Sequence, residues 1–154
     1  KLFNQVRPDI ALFGEKDWQQ LAVIRRMARD LDLSLPHADD ILGVPTVREA
    51  DGLALSSRNR YLDETARAQA AVLPAAMRQA IARIEAGAPV GAALRDLEHK
   101  LIEGGFSKVD YAALADAASL ERIDTLGNRP ARLLVAAHIL GTRLIDNMAV
   151  GSAG

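Results

Sequence analysis

The stretch that decides the fold is residues 10–31, IALFGEKDWQQLAVIRRMARDL, followed by a second apolar run at residues 41–47, ILGVPTV. The first stretch opens with four apolar residues that lie between Pro8 and Gly14, which is typical of a short buried strand. Residues 17–31 then carry a broad apolar stripe at helical spacing. A strand, a helix and a second strand in this order predict a βαβ unit with parallel strands and a right-handed crossover.

Outside this unit the pattern predicts further helices and strands. Lys1 to Val6 has the character of the last turns of a helix. Asp63 is a candidate N-cap for a helix over residues 64–86, and Pro74 should kink or split that helix because it lacks a backbone N–H. The remaining predictions are a helix over residues 90–103, a strand over 109–114, a helical turn over 117–122, and a hairpin of strands 131–139 and 143–150.

Together these elements predict an α/β fold in two parts. The first part is the end of a parallel sheet with its helices, over residues 1–47. The second is an α+β unit of helices on a small antiparallel sheet, over residues 48–154. The polar stretch that follows the second predicted strand separates the two parts.

Composition narrows the class of protein. The chain has 154 residues, of which 49% are hydrophobic and 25% charged, with a net charge of −1, as in soluble globular proteins. This charge balance gives no overall basic field for nucleic acid, and no apolar run has the length of a membrane span. With no cysteine, disulfides and thiolate metal sites are excluded, which fits a reducing compartment such as the cytoplasm. No signal peptide is visible, and because Lys1 opens within a helix we expect residues upstream.

The first candidate site is the segment Gly14 to Gln20, where a parallel strand ends and a helix begins. Ligands of open α/β sheets bind at the carboxyl ends of strands, and a helix N-terminus offers free N–H groups to anions. Lys16 could contact a phosphate there. In the alternative interpretation, Asp17 and Gln20 form a capping box without any ligand, and Lys16 is a solvated surface lysine.

The second candidate is DGLALSSRNRY, residues 51–61. Two adjacent serine hydroxyls followed by an arginine fork are suited to phosphate oxygens, and Gly52 would give the loop freedom to close over a ligand. Arg48, Arg58 and Arg60 form a local basic cluster that favours an anionic partner. The alternative is that this composition belongs to an ordinary surface loop.

Other polar residues do not predict a metal site. His37, His99 and His138 lack metal-ligand spacing. His99 is expected to be solvated, and His138 is expected to be a hydrogen-bonded sheet residue. Asp39 and Asp40 are adjacent, and adjacent strand residues point to opposite faces, which argues against a carboxylate pair.

At the two candidate segments the sequence resembles the pantothenate synthetase family. The matching blocks are KLFNQVRPDIALFGEKDWQQLAVIRRMARDL, GVPTVREADGLALSSRNRYL, ARLLVAA and TRLIDN, in the family order. The resemblance covers nearly the whole chain and is weakest over residues 63–128. It implies that residues 1–47 end a Rossmann-like nucleotide-binding domain and that residues 48–154 form a smaller domain with the phosphate-binding loop. The chain would then be the carboxy-terminal portion of a member of the nucleotidyl transferase superfamily with HIGH and KMSKS motifs.

The resemblance also implies a reaction and its ligands. Pantoate and β-alanine would be joined with ATP and Mg²⁺ through a pantoyl adenylate, with release of AMP and pyrophosphate. Gly14, Glu15, Lys16, Asp17 and Val47 match the family's ATP-binding positions, and Gln20 matches a pantoate-binding glutamine. The phosphate-binding loop of the family matches Leu55, Ser56, Ser57 and Arg58. The catalytic residues that the resemblance implies are Lys16, Ser56, Ser57 and Arg58.

Two departures from the family limit this expectation. The upstream HIGH-type motif with its histidines and a second pantoate-binding glutamine do not occur in this chain, so we expect the chain alone to be inactive. The resemblance separately implies a homodimer for the full-length protein. Residues 34–40 are longer and more polar than the family's usual link, which is consistent with a surface insertion. The alternatives are a non-catalytic nucleotide-binding or regulatory module and a related adenylate-forming transferase with another acid substrate.

Overall fold

The computed structural model describes residues 1–151, and the chain divides into two compact units, Lys1–Thr46 and Val47–Gly154. The division falls one residue before the boundary expected from the sequence. Val47 goes with the second unit because its carbonyl accepts a hydrogen bond from the Leu55 N–H, at 2.9 Å.

The first unit contains the predicted parallel pair of strands. Strands β1 (Ala11–Gly14) and β2 (Ile41–Val44) pair in parallel, with Ala11 opposite Ile41 and Gly14 opposite Val44. β2 ends three residues earlier than predicted, because Pro45 has no N–H to continue the ladder. The elements of this unit are α1 (Leu2–Val6), β1 (Ala11–Gly14), α2 (Trp18–Asp30) and β2 (Ile41–Val44).

A small apolar core holds this unit together. Leu21 and Ala28 of α2 are buried against Ala11 of β1 and Ile41 of β2. Burial alternates along both strands, so one face of the sheet packs on the helix and the other is exposed. The helical stripe and the strand period therefore specify the same core.

The segment before β2 contains both buried and exposed residues. Pro36 and Ala38 are buried, and residues Ala38–Asp40 form a 3₁₀ turn. The His37 Nδ1 accepts a hydrogen bond from the Asp39 N–H, at 3.3 Å, which caps that turn. Asp39 and Asp40 lie in this exposed turn and not in a strand, so the strand argument used for them was wrong, although they form no candidate metal group within residues 1–151.

Three helices open the second unit: α3 (Glu64–Ala70), α4 (Val72–Glu85) and α5 (Val90–Glu103). The predicted N-cap is confirmed, since the Asp63 Oδ1 accepts a hydrogen bond from the Ala66 N–H at 2.8 Å. The predicted split is also confirmed. It falls at Ala71, which puts Pro74 in the first turn of α4, where a missing N–H costs no helical hydrogen bond.

An antiparallel sheet completes this unit, in the order β3 (Lys108–Asp116), β4 (Ala131–Ile139) and β5 (Thr142–Val150). The predicted hairpin is confirmed. Leu140 and Gly141 have φ of 46° and 71°, so β4 and β5 are joined by a two-residue turn with the positive φ values that a type I′ turn requires. The helices cover one face of the sheet, and their shared core includes Leu73, Met77, Leu97, Leu101, Leu133, Val135 and Ile139.

The helical turn predicted over residues 117–122 is shorter in the structure, where residues 117–119 form a turn and no helix follows. The Asp116 Oδ1 accepts hydrogen bonds from the N–H groups of Ala118 and Ser119, at 3.0 and 2.9 Å. The Leu120 N–H also donates to the Asp116 carbonyl at 3.0 Å, but no helix continues, and the chain folds back so that Arg122 bridges to Ala115. Within residues 1–151 none of the helices has the length and apolar character needed to cross a membrane.

Candidate functional site

The segment from Gly14 to Gln20 lies at the carboxyl end of β1, as predicted. A 3₁₀ turn, Glu15–Asp17, separates the strand from α2, which begins at Trp18. Asp17 has φ −99° and ψ 59°, outside the extended region of a capping residue, and within the described part of the chain its side chain makes no cap hydrogen bond. The capping-box interpretation of Asp17 and Gln20 is therefore wrong, because the Asp17 carboxylate does not accept a hydrogen bond from the first turn of α2.

Space for a ligand exists beside this turn. A Cβ built on Gly14 would meet no atom within 4 Å, so the backbone there is open on that side. Asp17 and Gln20 are exposed, whereas Lys16 is half-buried. The Glu15 side chain lies against β2, where its Oε1 would be only 2.8 Å from a Cβ on Gly43. Glu15 thus packs on the unit's own backbone, and Asp17 is the exposed side chain of the turn.

The second candidate segment begins with a β-hairpin that the sequence analysis did not identify. Glu49 N–H donates to the Leu53 carbonyl at 2.9 Å, and Gly52 N–H donates back to the Glu49 carbonyl at 2.8 Å. Gly52 has φ +90°, so glycine supplies the left-handed residue that this tight turn needs. The Asp51–Gly52 pair is the sequence signal that could have revealed the hairpin.

Arg48 anchors this hairpin to β5. Its Nη1 and Nη2 donate to Oδ2 and Oδ1 of Asp146, at 2.7 and 2.9 Å, as a two-pronged ion pair. The Asp146 side chain is fully buried, and Arg48 is 24% exposed. Arg48 also donates to the carbonyls of Gly52 and Asn147. The predicted basic cluster is therefore wrong with respect to Arg48, whose charge is neutralised within the fold.

Arg67 of α3 neutralises the acidic side chains of the hairpin. Its Nη2 donates to Glu49 Oε2 at 2.6 Å and its Nη1 to Asp51 Oδ2 at 2.7 Å. Hydrogen bonding to Arg67 lowers the pKa of both carboxyls, and the same bonds, that to Asp51 first, raise the pKa of Arg67. The hairpin is thus held by ion pairs on both its sides.

Ser56, Ser57 and Arg58 follow the hairpin at the start of a 3₁₀ turn, Ser57–Tyr61. Ser56 Oγ accepts a hydrogen bond from the Arg58 N–H at 3.2 Å, which leaves its hydroxyl hydrogen available to donate. Ser57 and Arg58 are exposed. Arg60, in contrast, donates to the Tyr61 hydroxyl and stacks on its ring. Two hydroxyls and one guanidinium are therefore presented together on one short turn.

Val47 and Leu55 are brought together by the hairpin, since their backbones are hydrogen-bonded and both side chains are exposed. The other candidate residues belong to the first unit: Gly14, Glu15, Lys16, Asp17 and Gln20.

His99 and His138 have the surroundings predicted from the sequence. His99 is exposed on α5, and His138 lies in β4 with its Nε2 3.0 Å from Asp110 Oδ2. Over residues 1–151 the His, Asp and Glu side chains form no group of three that could hold a metal ion. The donors of the candidate segments are hydroxyl, ammonium, guanidinium and backbone N–H groups, which suit phosphate oxygens better than a bare cation.

The sequence of this chain is similar to those of pantothenate synthetases. The family model for pantoate-beta-alanine ligase matches residues 1–149. Pantothenate synthetases of Novosphingobium aromaticivorans and Sphingopyxis alaskensis are 69% and 61% identical over 151 residues each. Those matches cover 98% of this chain and 53% and 52% of the relatives, so the chain spans about half the length of the curated relatives it matches.

Solved structures give the same result. The pantothenate synthetase of Thermus thermophilus superposes with a TM-score of 0.85 at 44% identity, over 96% of this chain and 51% of that one. The pantoate-beta-alanine ligase of Francisella tularensis, solved with beta-gamma ATP and beta-alanine, has a TM-score of 0.68 at 28% identity, over 96% of this chain and 46% of the other. The carboxy-terminal placement of the chain stays a prediction. With nearly all of its residues matched in both sequence and fold, the chain belongs to the pantoate-beta-alanine ligase family.

Proposed function

We propose that the whole protein condenses pantoate with β-alanine at the expense of ATP. The pantoate carboxylate attacks the α-phosphorus of ATP and pyrophosphate leaves, which gives pantoyl adenylate. The β-alanine amine then attacks the acyl carbon, AMP leaves with the C–O bond electrons, and the amine loses a proton to give pantothenate. ATP enters as its magnesium complex, because the phosphate oxygens are hard ligands that suit Mg²⁺.

The observation that carries this proposal is the turn of Ser56, Ser57 and Arg58. Ser57 and Arg58 are exposed and Ser56 is half-buried, while the neighbouring charges of Arg48 and Arg67 are neutralised by ion pairs within the fold. Donors aimed at phosphate oxygens accelerate phosphoryl and adenylyl transfer chiefly by positioning and by charge stabilisation. We assign Ser56, Ser57 and Arg58 to the triphosphate, with Leu55 and Val47 beside them at the nucleotide.

The first unit supplies the remaining assigned groups. The open backbone at Gly14 and the exposed carboxylate of Asp17 suit a ribose, whose hydroxyls donate to carboxylates. Lys16 is assigned to phosphate, Glu15 to the same ATP-binding segment and Gln20 to pantoate. The Francisella tularensis ligase, solved with an ATP analogue and β-alanine, supports the substrates proposed here.

Titration with MgATP tests these assignments. Arg58→Ala and Lys16→Ala should each weaken binding by about tenfold or more, the usual effect of removing a hydrogen bond to a charged group. Arg83→Ala is a matched control, since Arg83 pairs with Asp96 on exposed helix surface and its loss should leave binding unchanged. Measurable binding that neither Arg58→Ala nor Lys16→Ala affects would refute the phosphate assignment.

This chain alone is proposed to lack turnover, because it spans about half the length of its relatives. Its release of AMP from ATP, pantoate and β-alanine is the measurement, and turnover equal to that of the whole protein would contradict the proposal. The same half-length match favours one alternative: a nucleotide-binding module that holds ATP without catalysis. AMP release by the whole protein excludes that module. We further propose that the whole protein is a cytoplasmic homodimer.

A further inference from the structure

Asn59 lies directly after Ser56–Arg58 and ties their turn to the preceding hairpin. Its Nδ2 donates to Glu49 Oε1 at 3.0 Å and to the Ala54 carbonyl at 3.2 Å. Glu49 and Ala54 lie on opposite arms of the hairpin. One amide nitrogen therefore connects the candidate phosphate turn to both arms.

Arg67 extends the connection from the hairpin to helix α3. Glu49 uses one carboxylate oxygen for Asn59 and the other for Arg67. The second guanidinium nitrogen of Arg67 binds Asp51, whose other oxygen accepts from the Leu53 N–H at 3.0 Å. A flat guanidinium fork can hold two carboxylates in this way, whereas a lysine ammonium is a single point of charge.

The geometry of Asn59 points to a role beyond packing. Its Oδ1 is buried and has no hydrogen-bond partner among the described residues. A buried acceptor without a partner is costly to folding, so the side chain is poorly suited to stability alone. Its amide nitrogen, in contrast, makes two hydrogen bonds, both to groups of the hairpin that precedes the Ser56–Arg58 turn.

We propose that Asn59 is a positioning residue, which holds Ser56, Ser57 and Arg58 in the geometry that receives the triphosphate, with Glu49 and Arg67 as its supports. This inference rests on the proposed function. Asn59 does not touch the reacting atoms in this role. It fixes the backbone from which the hydroxyl and guanidinium donors project, and loose donors lose most of their value in catalysis.

The test compares variants of the whole protein. Asn59→Asp keeps the shape of the side chain but removes the donor and sets a carboxylate against Glu49. Steady-state AMP release should show a KM for ATP raised about tenfold, as expected when a hydrogen bond to a charged group is lost, with the KM for β-alanine unchanged. Arg67→Gln should act in the same direction, and Arg67→Lys should restore part of the loss because it keeps the charge but not the fork.

Hydrogen exchange gives a readout that does not depend on activity. Backbone amides of residues 55–61 should exchange about tenfold faster in Asn59→Asp, while those of β4 and β5 keep their protection. Arg83→Gln is the matched control for Arg67→Gln, because it too removes an arginine–aspartate pair. The Arg83–Asp96 pair lies on exposed helix surface, so its loss should change neither the KM for ATP nor the exchange of residues 55–61.

The outcomes separate the two proposals. Wild-type protein that releases no AMP overturns the proposed function, and the positioning role toward ATP with it. If wild-type protein is active but Asn59→Asp leaves the KM for ATP unchanged, the positioning role alone is overturned. Faster exchange spread evenly over the second unit, with equal changes in both KM values, would show that Asn59 serves only the stability of the fold and would likewise overturn it.

Discussion

Replacement of Arg48 by methionine should destabilise the second unit by about 3–5 kcal/mol, the usual cost of removing one partner from a buried ion pair. The Asp146 side chain is 0% exposed and Arg48 24%, so water can replace little of what is lost. Asp146 would lose both guanidinium hydrogen bonds and keep one, from the Asn147 N–H at 2.7 Å. The carbonyls of Gly52 and Asn147 would each lose a donor as well.

Urea unfolding measures this cost unit by unit. Far-UV circular dichroism follows mainly the second unit, which holds three helices and the antiparallel sheet. Trp18, the single tryptophan, lies in the first unit and serves as an internal reference by fluorescence. With a slope of about 1–3 kcal/mol per M for small proteins, the circular dichroism midpoint should fall by roughly 1–5 M, whereas the Trp18 transition measures any effect on the first unit.

A double variant supplies the control. Arg48→Met combined with Asp146→Leu removes both charges and should recover most of the lost stability, because apolar replacements of buried pairs are often neutral or stabilising. A cost below about 1 kcal/mol for Arg48→Met would refute the reasoning, since it would mean that Asp146 stays solvated or paired without Arg48. A double variant as unstable as the single one would show that packing, and not charge, accounts for the loss.

Two further predictions concern stability. Asp63→Ala should lower the unfolding free energy by about 1 kcal/mol with an unchanged urea slope, because α3 loses the acceptor for the Ala66 N–H; an unchanged midpoint would count against the cap. Hydrogen bonds from cations, that of Lys108 first, lower the pKa of Asp110 in the folded protein. Asp110 therefore stabilises the fold above its unfolded pKa of about 3.9, and this stabilisation is lost as pH falls toward the lower folded pKa. Asp110→Asn should therefore flatten the acid limb of a stability–pH curve, and an acid limb identical to that of the wild type would show that Asp110 does not contribute.

Local signals in the sequence were sufficient for most of the fold. The stripe of α2 and the short apolar runs predicted the parallel pair because both patterns depend only on near neighbours. Asp63 and Pro74 marked a helix start and a split for the same reason, and both are observed. The helical turn predicted over residues 117–122 extends over fewer residues, because the Asp116 side chain accepts hydrogen bonds from N–H groups that a longer helix would use.

The candidate site was less predictable because its ion pairs join distant parts of the chain. Arg48 was grouped with Arg58 as a basic cluster, yet its partner Asp146 lies 98 residues away and no spacing rule connects them. Arg67 was not singled out, because a helix arginine is usually solvated and its two carboxylates precede it by 16 and 18 residues. The local motif Ser56–Arg58 was identifiable, whereas the network that holds it was not.

Because Arg48 and Asp146 lie far apart in the chain, we expect the ion pair that anchors the hairpin before the candidate phosphate turn to form late in folding. A contact across 98 residues closes a large loop and forms only after much of the chain entropy has been lost. During synthesis the turn emerges long before β5, so its hairpin is held only by bonds among nearby residues until that strand pairs with β4. We therefore expect ordering of the hairpin to depend on completion of the sheet, and a chain truncated before Thr142 would carry the Ser56–Arg58 motif without the Arg48–Asp146 ion pair.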